Sequence, residues 1–248
     1  MAESAPTVRA RIGLIIPSSN RLSEPQFHEY APPGVQINIT RLRMTGPYSR
    51  PVLELLPKIT EAAELLADAA CDLIVFHCTA SSMESGRDAE RQVLDTITSA
   101  TGRPATSTGS ALLEALRALD VRKLVMVSPY NQTTNDHESA FLAEAGIRVL
   151  HDRPLNLGGS DGYIAAPPAL WKRVTIEERD PDADGYLLSC TNIHSLPVIT
   201  EIEAALDKPV IASNQAVLWY GLRSLGLNDR VPALGRLFRV GLKEGVPA

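Results

Sequence analysis

A chain of 248 residues, 44% hydrophobic and 21% charged, has material for one large domain or two of about 120 residues and reads as an ordinary globular protein. Its net charge of −5, with no run of Lys or Arg, argues against nucleic acid or an anionic membrane as partner, and no stretch approaches the ~18 apolar residues of a membrane span. The first ten residues lack the apolar core of a signal peptide, and three cysteines without a Cys-x-x-Cys spacing suit neither a disulfide framework nor a zinc ribbon, so a reduced, cytoplasmic enzyme is expected.

Residues 1–10 are small and polar and predict a flexible tail. Residues 11–16 form an apolar strand that ends at Pro17, and Ser18-Ser19-Asn20 turns out of it. A helix starts near Glu24-Pro25, because proline suits the first helical position. Residues 35–40 alternate apolar and polar and read as a strand. A mobile loop around Gly46-Pro47 follows, then a helix over 52–70, where Leu55, Ile59, Ala62 and Leu66 recur at helical spacing. Leu73 to His77 contains no acid or strong base that would face water, the signature of a central strand buried on both faces. That strand stops at Cys78. Helix 88–100, a short strand at 104–106 and helix 110–119 complete the first half.

The second half repeats the order. It has a strand at 122–128 ending at Pro129, a helix near 135–145, a strand at 147–150 and a helix near 169–178. Then come a strand running from Gly185 into Cys190, a helical pattern over 195–206, a strand at 209–212 and a final helix at 215–225. Residues 158–162, with three glycines, are expected to be its most flexible point. Pro17 to Cys78 and Pro129 to Cys190 are both 61 positions, while Leu116/Leu222 and Arg117/Arg223 are both 106 apart. Strand and helix alternate throughout, which means parallel sheets covered by helices. The expectation is an α/β protein of two pseudo-symmetric, doubly wound parallel-sheet halves, 11–119 and 120–240, with helix 215–225 packing back on the first.

In such sheets ligands sit beyond the carboxyl ends of the strands, where Cys78 and Cys190 fall. A thiol with a pKa near 8.5 serves as an acid, and a modest downward shift makes it a thiolate base or nucleophile. Two cysteines facing one ligand can move a proton across a carbon centre, or one can add to a carbon while the other protonates its neighbour. Against this stands the tendency of free cysteine to pack as a small hydrophobe, which is the expectation for Cys71, unmatched in the other half. Ser18, Ser19, Asn20 and Tyr130 lie on the same rim, although Pro, Ser and Asn are also ordinary turn residues. Thr79, Ala80, Thr191 and Asn192 follow the cysteines, and their N–H groups suit a carboxylate. The five histidines make no metal-ligand spacing; His77 reads as a packed core residue and His194 as a weak ligand contact. No phosphate-binding loop and no metal site are expected.

Ile12-Gly-Leu-Ile-Ile-Pro-Ser-Ser-Asn20, the Cys78 strand, Ser189-Cys190 with Ser195-Leu-Pro197, Val127-Ser-Pro-Tyr130 and Gly235-Arg-Leu-Phe238 resemble the aspartate/glutamate racemase superfamily. Within it they are most similar to the branch of maleate cis–trans isomerases and arylmalonate decarboxylases. The resemblance implies a site between the halves, no cofactor, and a small carboxylate as substrate, with a homo-oligomer possible. It also implies Cys78 as nucleophile, Cys190 as proton donor, and Asn20 and Tyr130 holding the carboxylate. The decarboxylases carry glycine at the first cysteine position, so the pair here favours isomerase or racemase chemistry. Ser160 stands where the isomerases have an asparagine, and Thr79-Ala-Ser-Ser82 is nearer the decarboxylase pattern. A non-catalytic protein that binds a small acid in the same cleft is the reading from another class, and a pair of cysteines would be superfluous to it.

Overall fold

The computed structural model describes residues 7–243. The first half runs β1 (Ala10–Pro17), α1 (Ser23–Tyr30), β2 (Val35–Leu42), α2 (Leu56–Asp68), β3 (Leu73–Phe76), α3 (Thr79–Met83), α4 (Gly86–Thr101), β4 (Ala105–Ser107) and α5 (Thr108–Ala118). The second runs β5 (Lys123–Ser128), α6 (Gln132–Glu144), β6 (Arg148–Pro154), α7 (Ser160–Ala165), α8 (Pro168–Glu177), β7 (Gly185–Leu188), α9 (Ile199–Leu206), β8 (Val210–Ala212) and α10 (Ser213–Ser224). Each half is one four-stranded parallel sheet, ordered β2-β1-β3-β4 and β6-β5-β7-β8. The two orders are the same, as the sequence repeat requires.

Burial follows the apolar pattern. Every residue of β3 and β7 is buried, and β1 and β5 nearly so, while the edge strands β2 and β6 are mostly half-exposed. The repeat extends to single hydrogen bonds. The Arg11 N–H donates to the Asp72 carboxylate at 2.7 Å, and Asp72 N–H returns a bond to the Arg11 carbonyl at 2.8 Å. Lys123 and Asp184 make the same exchange, both bonds at 2.8 Å. These acids tie each β3-type strand to its β1-type neighbour at the end away from the cysteines.

One apolar core joins the halves, drawing Ile12, Leu14 and Val75 from the first and Val125, Leu187 and Ile211 from the second. Helices α5 and α10 pack together inside it. Gly221 shows how close α10 comes to the first sheet: a Cβ there would meet the Ile12 Cδ1 at 2.8 Å. A second core lies under α2 and α4 of the first half, around Ile15, Ile59, Ile74, Phe76 and Val93, and includes Cys71.

The local differences from the sequence reading have identifiable causes. The expected tail is pinned earlier than residue 11. Arg9 N–H bonds to the Gly34 carbonyl at 2.8 Å, its guanidinium pairs with Asp229 at 2.7 Å, and Ala10 is buried as the first residue of β1; residues 1–6 lie outside the described residues. Helix α6 starts at Gln132 because the Asn131 side chain caps it, accepting from Thr134 N–H at 3.0 Å. Ser107 caps α5 in the same way, accepting from Ser110 N–H at 2.9 Å. The expected strand 147–150 continues to Pro154 beside β5. The glycine-rich stretch 158–162 is an open turn only at Gly158 (φ 71) and Gly159 (φ 95); α7 begins at Ser160. Gly162 lies inside that helix, where a Cβ would come within 1.7 Å of the Leu157 carbonyl oxygen, so a close backbone approach, and not looseness, requires it.

Candidate active site

The strand ends of both sheets open on one cavity of about 600 Å³, within the usual range for small-ligand sites. Its lining draws Asn20, Cys78, Ala80 and Ser81 from the first half and Tyr130, Cys190, Thr191 and Asn192 from the second. Both sequence-expected cysteines therefore face the same space.

Cys78 ends the β3 strand in extended backbone (φ −152) and precedes α3. It is half-buried, and its thiol donates to the Ser81 hydroxyl at 3.3 Å. Burial pushes the thiol up, and the bonds from Ser81 oppose that. Cys190 is buried, and its φ of 145 is a region that L-residues rarely adopt and that costs about 1–3 kcal/mol. The surroundings hold it there. Its N–H donates to the Ser213 hydroxyl at 3.1 Å, and its sulfur accepts from Asn192 N–H at 3.3 Å. Burial raises this thiol to about 12, with the Tyr130 hydroxyl bond and the Asn192 N–H pulling the other way. Cys190 is thus a neutral thiol at physiological pH.

His77, next to Cys78 in sequence, is fully buried and turned from the cavity, as strand alternation requires. Its Nδ1 lies 3.0 Å from the Thr108 hydroxyl, its Nε2 lies 2.9 Å from Asn214 Oδ1, and its ring meets Phe27 edge-on at 5.3 Å. The Asn214 amide nitrogen donates to Gln26 Oε1 at 2.6 Å and to the Thr191 carbonyl at 3.1 Å, so its oxygen faces the histidine and Nε2 carries the proton. Burial lowers this imidazole to about 3, and it stays neutral.

Asn20 lines the cavity, and its side chain also ties the two halves together. It donates to the Thr191 hydroxyl at 3.0 Å and to the Ser23 hydroxyl at 2.9 Å, and its oxygen accepts from Ser23 N–H at 2.9 Å. Tyr130 is buried beside Cys190 and meets Tyr163 edge-on at 5.8 Å. Two expected residues fall elsewhere. Ser18 is exposed and outside the cavity, because its N–H extends the β1–β2 pairing to the Leu42 carbonyl at 2.8 Å and leaves Ser19 to face inward. Thr79 is buried, and its hydroxyl donates to Ser213 at 2.9 Å below the site and not within it. His194 does not line the cavity either.

The sequence reading put Ser19 on this rim and missed other lining residues, Thr45 and Tyr163 among them. Ser19 accepts from the Thr45 hydroxyl at 3.1 Å and from the Ser160 hydroxyl at 3.0 Å, so three segments distant in sequence close over the cysteines. Arg21 pairs with Asp161 across the same seam. Tyr163 reaches the cavity from α7, a helix hidden by its glycines. Among the described residues neither Lys nor Arg lines the cavity, while His137 and Glu84 do, so a carboxylate there would rely on hydroxyl, amide, imidazole and backbone N–H donors. Among the described residues no cluster of His, Cys, Asp or Glu could hold a metal ion, and no helix is long and apolar enough to cross a membrane.

Two parallel α/β halves with a cysteine of each in a shared cleft define an enzyme class, one of two-sheet isomerases and decarboxylases. The arylmalonate decarboxylase family model matches residues 12–238, and the chain belongs to that family. The arylmalonate decarboxylase of Bordetella bronchiseptica is 35% identical over 142 residues, which are 56% of this chain and 59% of that protein. A maleate isomerase of Nocardia farcinica is 28% identical over 242 residues, covering 92% of this chain and 95% of that one. A solved structure of the Nocardia farcinica maleate cis–trans isomerase, a cysteine-to-serine mutant with a covalently bound succinylcysteine intermediate, superposes with a TM-score of 0.85 at 25% identity, covering 93% and 98% of the two chains.

Proposed function

We propose that this chain is a cofactor-independent cis–trans isomerase of the maleate type, acting on a small carboxylate or dicarboxylate. The observation that carries this reading is that Cys78 and Cys190, one from each half, line the same cavity. The succinylcysteine captured in the Nocardia isomerase supports a cysteine adduct as the intermediate.

The two thiol environments suit different roles. Cys78, as thiolate, adds to one alkene carbon, and the π electrons pass to the neighbouring carboxylate as an enediolate. Cys190, held as a neutral acid, protonates the adjacent carbon, leaving a saturated adduct with a single C–C bond. The bond rotates, the Cys190 thiolate takes the proton back, and Cys78 departs with the electrons of the C–S bond, giving the trans alkene. The first-turn N–H groups of α3 have no intrahelical acceptor, and with Tyr130 and Asn192 they supply donors for the carboxylates. Asn20 positions the Thr191 side of the cleft.

A second reading, decarboxylation of a malonate, is favoured by the 35% identity to the Bordetella enzyme over its matched part. Racemisation of an α-carbon would use the same pair. Proton NMR with maleate, phenylmalonate and a set of chiral acids in heavy water separates the three. Conversion of maleate to fumarate is expected. Loss of a carboxyl group from phenylmalonate with maleate untouched would overturn the isomerase reading in favour of the decarboxylase.

A further inference from the structure

Glu138 on α6 is fully buried, and nothing in the mechanism above uses it. Its Oε2 accepts from the Ser189 hydroxyl at 2.5 Å, while its Oε1 is buried with no hydrogen-bond partner. Ser189 is the residue immediately before Cys190, and α6 packs against α3, the helix that Cys78 begins. The carboxyl thus stands behind both cysteine turns. No cation is paired with it among the described residues. A buried, unpaired carboxylate is costly, and a buried carboxylic acid is far less so.

We propose that Glu138 is a positioning residue of the two-cysteine cleft, holding the Cys190 turn through Ser189 as a buried carboxyl with no counter-charge. Burial raises its carboxyl to about 8, against the bond from Ser189, so it is uncharged at neutral pH. When it ionises, its charge raises the thiols of Cys78 and Cys190 and the phenols of Tyr130 and Tyr163. A negative charge there opposes a thiolate on either cysteine, and it equally opposes an enediolate in the cleft.

The neighbouring elements supply no counter-charge. On β6, Asp152 accepts from Gln132 and Asn135, and His151 pairs with Glu178 and Asp180. Arg153, also on β6, pairs with Glu178. On α4, Glu90 is taken by Ser107 and Ser110, Arg91 pairs with Asp88, and the Arg87 guanidinium acts on Glu90 and makes no ion pair with Glu138. Glu84 follows α3 and is exposed, and on α6 itself Asp136 and His137 are exposed. Tyr186 on β7 bonds to the Asp180 backbone.

The test is iodoacetamide alkylation, resolved by peptide mass spectrometry, of the unliganded protein and of Glu138→Gln between pH 6 and 9.5, with buried Cys71 as internal reference. It rests on both thiols being working groups of the cleft, but it needs no substrate, so it can fail independently of the isomerase reading. Equal rates are expected near pH 6.5, where Glu138 is protonated in the parent. As pH rises through 8, Cys78 in Glu138→Gln should alkylate faster than in the parent, by about threefold or more, because the opposing charge is gone. A general loosening would raise the rate at every pH and include Cys71. Ser189→Ala retains the carboxyl but removes the bond that favours its ionised form, so it too should exceed the parent between pH 8 and 9. If Glu138→Gln fails to fold, Ser189→Ala decides. Profiles that superpose on the parent above pH 8 overturn the proposal, as does a pH-independent increase.

Discussion

The two cysteine turns differ more than the strands that lead into them. His77 N–H bonds to the Ile15 carbonyl at 2.8 Å and Ser189 N–H to the Val127 carbonyl at 2.9 Å, so the repeat holds up to the last residue before each sulfur. There the halves part. Cys78 continues in extended backbone into a helix, with its thiol half-buried beside a serine hydroxyl. Cys190 is forced to positive φ, followed by a non-helical stretch, and is gripped by Ser213, Asn192 and Tyr130. The residue before the first is a neutral imidazole with both nitrogens satisfied; the residue before the second is a serine bonded to a carboxyl with one oxygen unsatisfied. Duplication sets the positions, and the local turn sets the role. One turn presents a half-buried thiol at a helix start, and the other holds a buried, neutral thiol rigid.

The largest effect that can break this comparison is on turnover. Cys78→Ser and Cys190→Ser should each lower isomerisation by about 10³-fold or more, since each removes one of the two groups on which the proposed mechanism depends. They should fail differently. Without Cys190, attack by Cys78 survives and an adduct on Cys78 should accumulate, visible by intact-protein mass spectrometry. Without Cys78, no adduct should form. Substantial CO₂ release from a malonate by Cys78→Ser would end the isomerase assignment and make Cys190 sufficient.

The next effect is on stability and its pH dependence. His77 has a folded pKa of about 3, well below the 6.5 expected when exposed, so the unfolded chain takes up the proton first. Its contribution is present above pH 6.5 and is lost as pH falls toward 3, at about 1.4 kcal/mol per pH unit for the one proton. His77→Gln should be less stable at pH 7, through the broken bonds to Thr108 and Asn214, but its stability should fall less steeply on acidification. Urea unfolding at pH 7, 6, 5 and 4 measures both. A smaller loss is expected from Ser213→Ala, about 1–2 kcal/mol, because it orphans the buried Cys190 N–H and the Thr79 hydroxyl together.

Much of this was legible in the sequence, and for physical reasons. The central strands announce themselves because both faces are buried, and the 61-position spacing reappears as the matched Arg11–Asp72 and Lys123–Asp184 bonds. Cys78, Cys190, Asn20, Tyr130, Ala80, Thr191 and Asn192 were accessible because strand ends in parallel sheets share a rim. Ser18 was misjudged for want of register: one further ladder bond to Leu42 decides which of two adjacent serines faces in. Thr79 was misjudged because its partner, Ser213, lies 134 residues away. Tyr163 was hidden by glycines that suit a loop, although Gly162 serves a tight helix start. Glu138 gave no sign at all, for on a largely polar helix a glutamate reads as surface until the fold shows what covers it.

The finest test compares the two backbones alone. Replacing cysteine by alanine keeps a Cβ, and replacing it by glycine removes it. At Cys78, in ordinary extended backbone, glycine should be the worse choice by about 0.5–1 kcal/mol, since it adds freedom to the unfolded chain and gains nothing when folded. At Cys190 the same entropic cost applies, but the φ of 145 penalises any Cβ by about 1–3 kcal/mol, which glycine escapes. The order should therefore invert, with Cys190→Gly more stable than Cys190→Ala by about 1 kcal/mol. Both pairs lose the sulfur equally, so the difference within each pair cancels its packing and its field. Urea midpoints for the four variants are enough to see the sign. Alanine superior at both positions would mean that Cys190 sits without strain, and the asymmetry between the turns would then rest on the side chains alone.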